Sequence, residues 1–175
     1  MKLNQFGMMR RALMICLAVC VTLCAVAQRN RIYVDSFEIA RGGTVTVPVM
    51  LANQDTTRGV QFRVTLPQGL RCVEMNVSQR AERKGFILNK TLKDDFHSVM
   101  IYQVGTACFA PGDMAIAEMT LQADETFGGG EITVWKCRGS TMDNLSIEMD
   151  GGMAIVTIPM AAQGGSFLDA PPMGD

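Results

Sequence analysis

From Thr44 to Leu51 apolar and polar side chains alternate with period two. Val45, Val47, Val49 and Leu51 share one face; Thr44, Thr46, Pro48 and Met50 share the other. That is the pattern of a strand with one buried face. Pro48 has no N–H to give to a ladder, so the strand is expected at a sheet edge or pairing irregularly there. Val60 to Leu66 repeats the alternation, with Val60, Phe62, Val64 and Leu66 inward and Gln61, Arg63 and Thr65 outward. Pro67-Gln68-Gly69 supplies a turn, and Leu70 to Met75 opens the next strand. Further strands are expected over Ile32–Ile39, Phe86–Leu92, His97–Val104, Met114–Gln122, Ile132–Cys137, Leu145–Met149 and Met153–Ile158, many of them separated by glycine- or proline-bearing turns. Ser78–Lys84 is polar nearly all round and reads as an irregular, solvated connection rather than a helix. So many short strands cannot each bury a face in one open sheet. The chain is therefore expected to be all-β, a sandwich of two packed antiparallel sheets.

The ends of the chain break this rhythm. Residues 1–27 carry Arg10 and Arg11, then an apolar run from Ala12, then Ala25-Val26-Ala27, the small-x-small pattern of a secretory signal cleaved before Gln28. Leu23 before Cys24 is not the small residue that a lipid-anchor signal needs, so export without a lipid anchor is expected, to the periplasm, cell surface or medium. Residues 28–160 are expected to form the folded domain. Residues 161–175, with Gly164-Gly165, Pro171-Pro172 and few apolar anchors, are expected to be a flexible tail.

Composition narrows the class. The whole chain has 175 residues, 16 basic and 17 acidic. Lys2, Arg10 and Arg11 leave with the signal, so 13 basic residues face 17 acidic ones, a formal charge of −4. That balance offers no footprint for nucleic acid. No later stretch has the length and hydrophobicity of a membrane span. Cys72, Cys108 and Cys137 remain after cleavage, an odd number at spacings that fit no zinc pattern, and read as small buried hydrophobes.

Catalytic chemistry is hard to find. His97 is the only histidine and reads as a buried or rim residue. No nucleophile elbow, metalloprotease His pair or phosphate-cradling loop occurs; Gly128-Gly129-Gly130 leads into a strand. Asp143, Asn144, Glu148 and Asp150 lack the spacing of a calcium loop. No enzyme activity, metal or cofactor is expected. Trp135 falls on the face opposite Ile132 and Val134, where an exposed ring would suit a sugar.

The ordered series Gly42-Gly43-Thr44-Val45-Thr46-Val47-Pro48-Val49-Met50-Leu51-Ala52-Asn53, Gly59-Val60-Gln61-Phe62-Arg63-Val64-Thr65-Leu66-Pro67 and Gly69-Leu70 resembles the second to fourth strands of cohesin domains. Phe109 through Leu121 resembles a later block of the same family. Most similar are the exported cohesin-like modules of Bacteroides- and Prevotella-type bacteria, over roughly residues 31–158. The resemblance implies a jelly-roll sandwich of about nine strands, a fold shared with a superfamily of carbohydrate-binding modules. Cohesins bind dockerin modules through a sheet face that includes the outward positions of the third strand, here Gln61, Arg63 and Thr65. Arg63 departs from the short polar or acidic residues that dockerin-binding cohesins tend to carry there. The implied protein is a monomeric, non-catalytic interaction module for a dockerin-like or other envelope protein. The alternative is a carbohydrate-binding module that uses Trp135 on a polysaccharide.

Overall fold

The computed structural model describes residues 30–93 and 95–159; the expected signal over 1–27 and the expected tail over 161–175 lie outside them. In chain order the elements are β1 (Arg31–Tyr33), β2 (Phe37–Glu38), β3 (Thr44–Asn53), β4 (Gly59–Thr65), β5 (Leu70–Val77), a one-turn helix α1 (Gln79–Glu82), β6 (Ile87–Lys93), β7 (Phe96–Tyr102), β8 (Gly112–Ala123), β9 (Gly130–Ser140), β10 (Ser146–Glu148) and β11 (Gly152–Thr157). They form two sheets. The first has the order β1-β3-β8-β5; the second runs β2-β11-β9-β4-β7-β6, with β10 also paired to β9. This is the expected all-β sandwich, with eleven strands among the described residues where about nine were expected.

Alternation builds the core from both sheets. Val49, Leu51, Ile116, Met119 and Leu121 point inward from the first sheet, and Phe62, Val64, Val99, Ile101 and Ile132 from the second, all fully buried. Phe62 and Val64 are inward, as the period-two pattern of β4 requires. The turn into β5 closes with the Leu70 N–H donating to the Pro67 carbonyl at 3.1 Å, and Gly69 takes a φ of +81° that a side chain would disfavour.

The differences from the expected elements have local causes. The expected strand Ile32–Ile39 is split between the sheets, β1 pairing with β3 and β2 pairing in parallel with β11. Between them Ser36 Oγ accepts the Ile155 N–H at 2.9 Å, so part of the β11 edge is capped by a side chain instead of a strand. Ser78–Lys84 contains a helical turn after all: Ser78 Oγ accepts the Ala81 N–H at 3.4 Å, an N-cap, and Ala81 is buried against the core. One small apolar residue anchors an otherwise polar stretch, too few for a periodic signal. Pro48 lies within the sheet order yet beyond the end of β1, so β3 has a partner on one side only at that point. The register irregularity lies next to it, between Val49 and Met50, where Ile116 is the extra residue of β8.

Candidate cationic-aromatic docking face

The outward side of the second sheet can be read row by row from its register. One row runs Lys93, Phe96, Thr65, Thr133, Met153 across β6, β7, β4, β9 and β11. The next runs Thr91, Ser98, Arg63, Trp135, and the third Asn89, Met100, Gln61, Arg138, Glu148, the last contributed by β10. Arg63 therefore stands near the centre of the sheet, in the strand between β7 and β9.

Its surroundings are aromatic. The Arg63 guanidinium carbon lies 4.6 Å from the Phe96 ring centroid and 5.0 Å from that of Trp135. Phe96 meets Trp135 edge to face, with centroids 5.5 Å apart at 69°. The Trp135 indole N–H donates to Thr65 Oγ1 at 3.1 Å, which satisfies its polar edge and fixes the ring's orientation. Lys136 brings a second cation, its Nζ 5.2 Å from the Trp135 centroid.

A bulge beside Trp135 adds cations to this side. Between Gln61 and Arg63, β9 holds one residue more than β4, and Lys136 takes a φ of +48°. Without the extra residue, strict alternation from Ile132 and Val134 would turn Lys136 inward and Cys137 outward. With it, Cys137 is buried while Trp135, Lys136 and Arg138 all reach the outer side.

The structure thus places the expected residues together. Gln61 is exposed, and Arg63 and Thr65 are half-buried beside half-buried Trp135. The ring expected to serve a sugar and the residues expected to serve a protein are one cluster, not two sites. Sequence reasoning passed over Phe96, Lys136, Met100 and Arg138. Phe96 precedes the expected strand His97–Val104, yet Phe96, Ser98 and Met100 alternate outward against buried His97, Val99 and Ile101. Met100 and Ile87 add exposed apolar surface, 43% and 44% accessible.

The histidine and the cysteines lie outside this cluster. His97 is buried on the inner side, where burial and the Lys90 charge lower its pKa and Nδ1 has no hydrogen-bond partner. Cys72, Cys108 and Cys137 are free thiols; burial and then Asp150 push Cys137 up to about 12. Among the described residues no group of three or more His, Cys, Asp and Glu side chains is placed to hold a metal ion. Nor is any helix among them long and apolar enough to cross a membrane.

The sandwich has the fold seen in cohesin domains. Solved structures of similar fold include cohesin modules. One is the cohesin module of a family 33 glycoside hydrolase from Clostridium perfringens, at 9% identity and TM-score 0.64, covering 75% of this chain and 98% of that one. Another is a non-cellulosomal cohesin from the archaeon Archaeoglobus fulgidus, at 14% identity and TM-score 0.60, covering 74% and 91%. A third is the sixth cohesin of Acetivibrio cellulolyticus scaffoldin B, solved with a variant Cel5 dockerin, at 15% identity and TM-score 0.60, covering 75% and 99%. At such identities the likeness is one of fold. No family model and no curated protein matches the chain.

Proposed function

We propose that this chain is an exported, monomeric, non-catalytic module that binds a protein partner through the outer face of β9-β4-β7-β6. The single observation that carries the reading is the ordered cluster of Arg63, Thr65, Phe96 and Trp135 in the middle of an open sheet face. Arginine and tryptophan are the side chains that most often dominate binding at protein interfaces, and here they are held in place before any partner arrives. Exposed Met100 and Ile87 extend the apolar area around them. The Acetivibrio cohesin, solved with a dockerin, shows the same sandwich architecture in use as a docking module. Fold alone does not assign function, so the argument rests on the cluster.

A sugar-binding reading has Trp135 in its favour, a half-buried ring on the outer side. Against it, two cations already lie over that ring, Arg63 and Lys136. A sugar would have to share or displace them.

Affinity capture from the cell envelope separates the two. Arg63→Glu should lower recovery of the partner at least tenfold, about 1.4 kcal/mol, with the free domain still folded and its melting temperature lower by only a few degrees. Retention on polysaccharide that is lost with Trp135→Ala, with no protein recovered, would replace this reading with the carbohydrate-binding one. Export has its own test: N-terminal sequencing of the envelope or secreted protein should begin at Gln28. A lipid-modified Cys24 at the N-terminus would move the module to a membrane anchor.

A further inference from the structure

We infer that the partner of this face presents acidic side chains, with at least one carboxylate seated on Arg63; this deepens the docking reading above and rests on it. The three central rows carry Lys93, Arg63 and Arg138, and Lys136 stands beside them over Trp135. Within the rows Glu148, at the β10 margin, opposes these four; Glu131, whose Oε1 accepts from Thr133 Oγ1 at 3.3 Å, and Glu38 lie on the same side farther toward the β11–β2 edge, away from Arg63. This excess of positive charge sits on a chain whose formal net charge is −1.

The outer face of the first sheet differs in kind. Arg31 and Arg71 share it with Glu74, Asp113 and Glu118, and much of its polar surface is already engaged. The Tyr33 hydroxyl donates to the Asp113 carboxylate at 2.8 Å, Arg31 lies over the Tyr33 ring, and both Nε and Nη2 of Arg71 donate to Gln122 Oε1.

Among the described residues, Arg63 is engaged by aromatic rings. Its contacts among the described residues are the two rings, and no hydrogen bond or ion pair to another described residue uses its N–H groups. The two rings hold the guanidinium in place, and no described residue accepts from its N–H groups, which suit a carboxylate bidentately. Lys136, Arg138 and Lys93 would speed encounter with an acidic surface and penalise a basic one. A second copy of this chain meeting face to face would oppose like charges, which counts against a symmetric dimer here. The neighbouring apolar positions, Met100 and Ile87, suit a peptide or folded surface with apolar residues beside its acids.

Selection from a random-peptide display library on the intact exported protein tests this without knowing the natural partner. Recovered peptides should be enriched in Asp and Glu over the starting library, and should bind at least tenfold more weakly to Arg63→Glu. Arg71→Glu, on the other sheet, should leave binding unchanged, and selection on Arg63→Glu should turn toward Lys and Arg. Arg63→Gln covers the case in which glutamate unfolds the domain. Neutral or basic peptides that still require Trp135 would overturn the acidic partner and leave the docking face standing. Loss of binding on Arg71→Glu, or no enrichment at all, would overturn both. Self-association of the protein, or retention on a polyuronate with no peptide enrichment, would overturn the inference in favour of a second copy or an acidic glycan.

Discussion

Arg63 and Trp135 face each other across the β4–β9 ladder, the guanidinium carbon 5.0 Å from the indole centroid, at the residue where the two strands fall out of step. Plain alternation from Val134 puts Trp135 outward opposite Arg63, and the bulge just beyond the pair brings Arg138 outward as well, with Cys137 turned in. Cation–π contacts at partly exposed sites contribute about 0.5–1 kcal/mol. A double-mutant cycle with Arg63→Ala and Trp135→Ala, followed by chemical denaturation, should return a coupling of about that size. Additive losses would mean the stack does not persist in solution.

Phe62 lies one residue from Arg63 and points the other way, fully buried. Phe62→Ala leaves a cavity and should cost about 3–5 kcal/mol. Arg63→Ala should cost roughly 1 kcal/mol, the scale of its ring contacts. The measurement is the unfolding free energy of each variant; similar losses would show the β4 register to be wrong.

Much of this was legible beforehand. Strict alternation from Val60 to Thr65 assigned Phe62 and Val64 to the core and Gln61, Arg63 and Thr65 to the outside. The union of Trp135 with Arg63 was not legible, because it depends on pairing β9 with β4, which lie far apart in the sequence. The bulge left one faint trace: buried apolar positions step by three from Val134 to Cys137 where alternation steps by two. The division of Ile32–Ile39 between two sheets left none, since each half pairs with a distant strand.

The three described cysteines should differ in reactivity. Burial raises Cys137 to about 12, so almost no thiolate exists at neutral pH. Cys72 is raised by burial too, offset in part by Lys90, whose Nζ lies 3.7 Å from the sulfur. Cys108 is half-exposed. A thiol reagent at mildly alkaline pH should modify Cys72 and Cys108 in the native domain and Cys137 only after denaturation, read by peptide mass mapping. Rapid native labelling of Cys137 would contradict its burial.

His97 should make stability depend on pH. Burial and then the Lys90 charge hold its pKa below the ordinary value, so the unfolded chain takes up a proton near pH ~6.5 while the folded one does not. Stability is therefore full above that pH and falls as pH drops through it toward the lowered folded value. The melting temperature should decline from about pH 7.5 to about 5.5, above the range where carboxylates titrate, and His97→Gln should remove part of the decline. The same slope in both proteins would assign the effect elsewhere.

The central claim is that the partner covers the Arg63 face, and hydroxyl-radical footprinting of the complex reads it directly. Trp135, Phe96 and Met100 are reactive side chains on that face, while Tyr33 and Met50 sit side by side on the outer face of the other sheet. Binding should protect Trp135, Phe96 and Met100 from oxidation and leave Tyr33 and Met50 at their free-domain rates. Protection of Tyr33 and Met50 with Trp135 and Met100 unchanged would place the partner on the opposite sheet and contradict the account.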